Sequence, residues 1–389
     1  MKAPPSGDKH APYSIAGVVA AIAAIMIAAT GLGHSLPLFS ILLKNYGVSD
    51  SLIGLNTAMY ALGFTALAPF FPRIIIALGL KPFIFICVTL MVVSYGAIYL
   101  AGDTIWLWYP IRAVYGFAVA GIFVGSEIWV NKLAPPHIRG QIIGIYTTFV
   151  ALGLALGPLL VDLYGYNGLL PFAIGMGIFA LAALPICFVK APKPSPQHSA
   201  KGFFKFIPKA PATFLSAAIF AAVESAILVF LPILAIEKGW GAEIGARSIS
   251  VYGFGMLAMQ YLIGRFADRT GHNRTLTFCA VGCLVMSIIF CTLNDTPFTL
   301  FPILFLWGGL LAGLYTVGLT IVGARFDEND ITATNTGLVF TFGVGAVLGP
   351  LSAGLVRQWT GPDGLSLFLI LLLGLYAVMV WQRRHKTLP

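Results

Sequence analysis

Charged side chains are scarce in this chain. They make up 10% of its 389 residues, against 58% apolar, and the mean hydropathy is +0.91. That balance excludes an ordinary soluble domain and matches a polytopic membrane protein. Acids are scarcer than bases, 14 against 23, which leaves a net charge of +9. Cysteine is rare as well: Cys87, Cys187, Cys279, Cys283 and Cys291 all fall in or beside apolar runs, so no disulfide framework is indicated. Cys279 and Cys283, one helical turn apart, are read as packing residues rather than a soft-metal pair. The chain also lacks a phosphate-cradling loop, a G-x-S-x-G nucleophile motif, paired catalytic carboxylates and a metal-ligand cluster. ATP-driven transport and enzymatic chemistry are therefore not indicated, and no cofactor or metal is expected.

What is present is a set of long apolar runs. About 20 such residues cross a bilayer, and twelve spans are expected, at 15–43, 51–72, 82–101, 105–130, 140–163, 168–189, 212–236, 246–266, 275–293, 297–324, 333–356 and 364–382. The runs are continuous rather than alternating, which excludes a β-barrel. The chain also repeats itself. Gly153, Gly157 and Pro158 are answered by Gly345, Gly349 and Pro350, an offset of 349 − 157 = 192. The same offset relates Gly79 to Gly271, Arg73 to Arg265, and Gly121 to Gly313. Two like halves of apolar helices point to a secondary transporter with its substrate site between the repeats. The expected fold is all-α: two pseudo-symmetric six-helix bundles of transmembrane helices.

Lysines and arginines concentrate on the side holding both termini, and only Lys44, Lys238, Arg247 and Arg357 fall on the other. Positive charge stays cytoplasmic during insertion, so both termini are expected inside. The basic excess is a topology signal, with no nucleic-acid partner implied. Residues 1–14 read as a cytoplasmic tail retained ahead of the first helix, 15–189 as the N-terminal bundle and 190–211 as a cytoplasmic linker. Residues 212–382 form the C-terminal bundle and 383–389 a cytoplasmic tail. Phe203, Phe204 and Phe206 in the linker are expected at the lipid interface. Small residues let helices approach in lipid; Gly116, Ala120 and Gly121 make one such face, and Gly308, Gly309, Ala312 and Gly313 another.

Across its length the chain resembles the major facilitator superfamily. Gly264-Arg265-Phe266-Ala267-Asp268-Arg269-Thr270-Gly271-His272-Asn273-Arg274 looks like that family's loop motif G-x-x-x-D-R-x-G-x-x-R. Arg112-x-x-x-Gly116 is similar to its second motif, and the Gly-Pro elements to the motif associated with antiporters. Glu127 and Asn131, then Arg139, Gly140 and Tyr146, look like the YcaD-like branch. The chain departs from the pattern at Ile76, which stands where the first-half loop motif would carry the counterpart of Asp268. The resemblance implies a small-molecule transporter of the bacterial inner membrane, working as a monomer. By pseudo-symmetry Asp268 should meet the start of span five near Arg139 and latch that side shut. Arg265, Arg269, Gly271, Gly157, Pro158, Gly349 and Pro350 complete the candidate gating set.

Four ionisable residues lie at membrane depth: His34, Arg112, Glu127 and Glu224. Such residues are costly in hydrocarbon and mark ion or substrate pathways. Glu224 has no cation within a helical turn; burial disfavours its charge, which suits a carboxyl alternately protonated and released. His34 titrates near neutral pH and sits among Gly31, Gly33 and Pro37, where freed carbonyls can line a cavity. Arg112 is a candidate for an anionic substrate group or for answering the proton, and Glu127 is a further coupling candidate. Asn56, Tyr60, Tyr252, Gln260, Trp307, Tyr315 and Asn335 are candidate pocket residues for a mostly apolar ligand. The expected activity is proton-coupled efflux of a small organic solute by alternating access. Proton-coupled uptake of a metabolite or vitamin, or a non-transporting receptor, are the alternatives.

Overall fold

The computed structural model describes residues 14–66, 70–192, 203–293, 296–326 and 330–383. The lysines and arginines of the tails (Lys2, Lys9, Arg384, Lys386) and Lys193 and Lys201 of the linker lie outside the described residues. The first half comprises α1 (Ile15–Asn45), α2 (Asp50–Ala66), α3 (Phe71–Leu78), α4 (Leu80–Ala101), α5 (Ile105–Leu133), α6 (Arg139–Tyr164) and α7 (Leu170–Cys187). The second comprises α8 (Pro211–Glu237), α9 (Ala242–Thr270), α10 (His272–Thr292), α11 (Pro297–Arg325), α12 (Ile331–Thr360) and α13 (Gly364–Arg383).

Ten of these helices are long and apolar enough to cross a membrane on their own. Span two is not the single helix expected over 51–72. It ends at Ala66, and α3 turns away from α2 by 62°. The reason is amphipathicity: α3 buries only Phe71 and Ile75, one helical turn apart, against the rings of Phe83 and Phe117 at 5.4 and 5.2 Å. The remaining helix, α9, is packed within the bundle through Gly245, Ile249 and Tyr252, but Glu243, Arg247, Arg265, Asp268 and Arg269 charge its two ends. Among the described residues the architecture is thus twelve bundle helices and one short surface helix.

The duplication is carried by backbone contact. A side-chain carbon added at Gly63 would run into the carbonyl of Ala113, and one at Gly255 into that of Phe305. Gly116 lies as close to the Tyr60 carbonyl as Gly308 does to that of Tyr252. Gly157 meets the Thr30 carbonyl as Gly349 meets that of Ala222, and Gly121 and Gly313 accommodate the Sγ of Cys87 and Cys279. Both partners shift by 192 in every case (63 + 192 = 255, 113 + 192 = 305). Each half therefore docks α5 on α2 or α11 on α9, and α6 on α1 or α12 on α8, through the same small-residue notches. That is how helices gain contact where lipid offers no hydrophobic drive. Gly79 and Gly271 complete the correspondence: both hold φ near +90° (89° and 91°), a conformation only glycine adopts readily, as they turn the chain into α4 and α10.

Across the seam, α2 packs on α12 and α6 on α9, with α1 against α8. Backbone approaches lie toward the end opposite the termini, the far end: Gly54 against the Pro350 carbonyl and Gly354 against that of Asp50, with Gly253 against Ala155 and, farther along α2, Gly343 against the Thr65 side chain. Toward the terminus-bearing end, residues 139–149 of α6 are exposed or half-buried nearly all round, with only Tyr146 buried, whereas from Gly153 to Val161 buried positions recur. The far end is thus tied across the seam, and α6 is least covered toward the other end.

One interface expectation is overturned. Phe206 is 1% exposed and wedged with Phe214, Val322 and Leu338 into a small core of its own, its ring 5.5 Å from that of Phe326. Lys205 and Lys209 cover that ring at 4.7 and 5.3 Å. Phe206 anchors the second half to its own linker because a ring flanked by two ammonium groups is better placed inward than in lipid. Phe204 remains exposed.

Candidate functional site

From the far end inward, the seam carries polar groups at successive depths. The outermost level is a square of alternating charges drawn from both halves. Arg357 on α12 donates from Nε to Asp50 Oδ2 at 3.0 Å and from NH2 to Glu237 Oε2 at 2.7 Å. Lys44 Nζ completes it, 3.1 Å from Asp50 Oδ1 and 2.7 Å from Glu237 Oε1. The Arg357 side chain is fully enclosed; its third bond goes to the Pro362 carbonyl at 3.0 Å, and its guanidinium lies 5.2 Å from the Phe230 ring. A forked guanidinium meeting two carboxylates gives stronger, more directional pairing than an exposed lysine contact. Beside it, Arg247 on α9 pairs bidentately with Asp162 on α6, both bonds 3.0 Å. None of these residues was singled out from sequence as a site, although Lys44, Arg247 and Arg357 were noted as the exceptions to the charge asymmetry. The partners lie up to 307 residues apart.

The next level lies within the first half. Arg112 is 1% exposed; its Nε donates to Asn56 Oδ1 at 3.1 Å, and its guanidinium lies 5.0, 4.9 and 5.5 Å from the rings of Phe39, Tyr60 and Tyr115. No carboxylate pairs with it among the described residues. Its NH1 and the Asn56 Nδ2 are buried donors without a partner there. His34 is fully buried, its Nδ1 3.1 Å from the Tyr95 hydroxyl and its Nε2 unpartnered. Tyr115 donates to Ser35 Oγ at 3.1 Å, Ser35 donates to the Leu32 carbonyl at 2.7 Å, and the Tyr115 ring lies 5.9 Å from that of Tyr95, the partner of His34. Enclosing a guanidinium costs several kcal/mol. Three ring contacts of about 0.5–2 kcal/mol each offset part of that, and a charged hydrogen bond contributes about 1.5–3 kcal/mol. The site remains short of negative charge.

Deeper still, Glu224 on α8 is half-buried, and its carboxylate makes no hydrogen bond or ion pair among the described residues. It lies within electrostatic reach of Tyr60 on α2, Tyr252 on α9 and Tyr315 on α11. Tyr60 faces both Arg112 and Glu224 and so links the two levels across the seam. Glu127 on α5 is exposed and lies within electrostatic reach of Tyr146 and, from the opposite half, of Tyr315. Asn131 Nδ2 donates to the Glu127 carbonyl at 3.0 Å.

The other nominated residues are dispersed. Trp307 is fully buried against Phe290, ring centres 5.5 Å apart, inside the second half. Gln260 is exposed and Asn335 half-buried, both toward the terminus-bearing mouth. Arg139, Arg265, Asp268 and Arg269 are exposed at that mouth, and the structure does not bring Asp268 onto Arg139. Gly157 and Gly349 sit in the α1 and α8 notches, with Pro158 and Pro350 beside them; the Pro350 carbonyl abuts Gly54 across the seam.

Comparison with known proteins agrees with the fold. The sequence profile of the Major Facilitator Superfamily matches residues 19–309 and again 213–389, and the chain belongs to that family. At that level it is an integral membrane transporter of the secondary type. It is 24% identical over 358 residues to the uncharacterized MFS-type transporter YfkF of Bacillus subtilis (strain 168), covering 90% of each chain. It is also 24% identical over 288 residues to the uncharacterized MFS-type transporter YcaD of Salmonella newport (strain SL254), covering 72% of this chain and 74% of that one. Among solved structures, the nucleoside transporter NupG superposes with a TM-score of 0.78 at 16% identity, covering 96% of this chain and 100% of that one. The D-xylose-proton symporter superposes with a TM-score of 0.74 at 15% identity, covering 97% and 98%. At such identities the likeness concerns the fold alone.

Proposed function

We propose that this protein is a proton-coupled secondary transporter that exports a small organic solute across the bacterial inner membrane in exchange for protons. Both termini are taken as cytoplasmic, the side that gathers positive charge. The observation that carries the reading is the placement of Glu224. It is a carboxyl with no hydrogen-bond or ion-pair partner among the described residues, within electrostatic reach of tyrosines on three other helices, in a protein whose halves are locked together by ion pairs at one end. A group so placed meets water from one face at a time as the halves rock, which is what coupling a proton to alternating access requires. His34, Arg112 and Glu127 are the further members of the proposed coupling set. Tyr60, Asn56, Tyr252, Gln260, Tyr315 and Asn335 remain the proposed surroundings of the solute, while Trp307 is enclosed against Phe290 inside the second half.

Gating follows the same reasoning. The far-end square of Lys44, Asp50, Glu237 and Arg357 closes the outside in this conformation and must break when the protein turns outward. Asp268 with Arg265, Arg269 and Gly271 would then close onto the α6 start at Arg139. The glycine notches at Gly157 and Gly349, with Pro158 and Pro350, hold each gate helix to its own half.

In proteoliposomes, Glu224→Gln is expected to abolish solute movement driven by a proton gradient while leaving equilibrium exchange of solute measurable. Gradient-driven flux persisting in that variant refutes the coupling role. The second reading, uptake by symport, is favoured by the proton symporters among the structural neighbours. An inward-directed proton gradient that fills the vesicles with solute establishes uptake; one that empties them establishes export.

A further inference from the structure

Arg112 poses a problem of charge that the protein does not solve within itself. A guanidinium cannot shed its proton to become neutral. Here it is enclosed, bonded only through Nε to Asn56, and faced by three aromatic rings, with no carboxylate partner among the described residues. What it leaves unmet is of one kind. Arg112 NH1 and Asn56 Nδ2 are both donors, on two groups already hydrogen-bonded to one another, and neither has an acceptor. Neighbouring unpaired donors on a cationic group describe the complement of an oxyanion.

We infer that this pair is a binding site for a small organic monocarboxylate carrying an apolar, ring-sized body, which supplies the acceptor oxygens and the negative charge that Arg112 lacks. The inference rests on the transport reading above and names its substrate class. The single charge follows from the surroundings. There is one guanidinium at this level, and no second cation stands beside it among the described residues to meet a second negative charge. A phosphate monoester, close to doubly charged at neutral pH, is thereby disfavoured. The size of the body follows from the rings. Phe39 and Tyr115 are at most 2% exposed, whereas Tyr60 is half-buried and turned toward Glu224. Tyr60 is the side chain that swings aside to admit a ligand to Arg112, and the space it vacates is that of a benzene ring.

The test uses benzoate, its uncharged counterpart benzamide and the doubly charged phenyl phosphate. Each is titrated at pH 7.5 into the purified full-length protein in nanodiscs, with binding read by calorimetry and by the thermal unfolding midpoint. Benzoate is expected to bind and raise the midpoint, with benzamide and phenyl phosphate at least tenfold weaker. Asn56→Asp is the decisive variant. It sets a carboxylate beside the guanidinium, so the protein should remain folded with an unfolding midpoint no lower than before, and benzoate binding should disappear. Arg112→Lys keeps the charge but not the fork and should weaken benzoate at least tenfold. Absence of benzoate binding, equal binding of benzamide, or undiminished benzoate binding in Asn56→Asp overturns the site. Proton-driven flux of a neutral or cationic dye without benzoate binding overturns the anion site and leaves transport standing. Benzoate binding lost in Asn56→Asp, without benzoate flux in proteoliposomes, leaves the site standing and removes the transport reading.

Discussion

The two halves share a scaffold but not a chemistry. The glycine notches recur at matched positions with the same backbone partners. The polar core of the first half does not recur. His34, Asn56, Tyr95, Arg112 and Tyr115 are answered 192 residues on by Ala226, Ser248, Ser287, Leu304 and Trp307. In the other direction, Glu224 is answered by Leu32 and Asp268 by Ile76. Tyr60 and Tyr252 are retained in both, and both lie close to Glu224. Backbone-to-backbone contacts tolerate no added carbon, so duplication preserved them, while side chains facing the seam were free to specialise. The first half holds the cation, the second a lone carboxyl, and neither repeats the other's.

Several substitutions would break or sharpen that contrast. The largest effect is expected from Arg112→Leu, which gives the first half the residue of the second. Transport should fall to background while thermal stability holds or rises, because an unpaired enclosed charge is replaced by an apolar side chain; flux and unfolding midpoint measured together check this. Next is the far-end square. Arg357→Gln strands two carboxylates on Lys44 and should open the outer face, read as faster alkylation of a cysteine placed at Leu351, beside the Gly54 contact. Truncating one partner of such an enclosed pair costs about 2–5 kcal/mol. Gly116→Ala and Gly308→Ala should then destabilise by similar amounts, about 1–3 kcal/mol each, since each drives a methyl group into a matched carbonyl; unequal unfolding shifts would refute equivalence of the notches. The smallest effect belongs to Asp162→Asn. The Arg247 partner is largely exposed, so the loss should stay within about 1 kcal/mol and vanish at high salt.

Much of this was legible beforehand for physical reasons. Glycines fixed by backbone contact keep their spacing, so the 192-residue offset exposed the duplication. Charges at membrane depth stand out against apolar runs, which marked His34, Arg112, Glu127 and Glu224. What could not be read depends on distance in space. Lys44, Asp50, Glu237 and Arg357 each sit near a helix end, where a charge is unremarkable alone, and only the fold assembles them. Tyr95 was one tyrosine among 14 until His34 was seen bonded to it. Trp307 was nominated as a pocket residue by its aromatic character, but helix rotation turned it into the interior of the second half. Phe206 was read as lipid-facing because its flanking lysines resemble an interfacial anchor, whereas they roof a buried ring.

The far-end square also orders the biogenesis of the molecule. Lys44, Asp50 and Glu237 are synthesised and inserted first, and together they carry one uncompensated negative charge. Arg357 arrives only with α12, long after the other three. Until it does, the nascent chain carries an acidic notch at the far end, and a chain truncated before α12 keeps that notch unfilled. Arrival of α12 is thus registered chemically, by neutralisation of a site begun at Lys44 and Asp50.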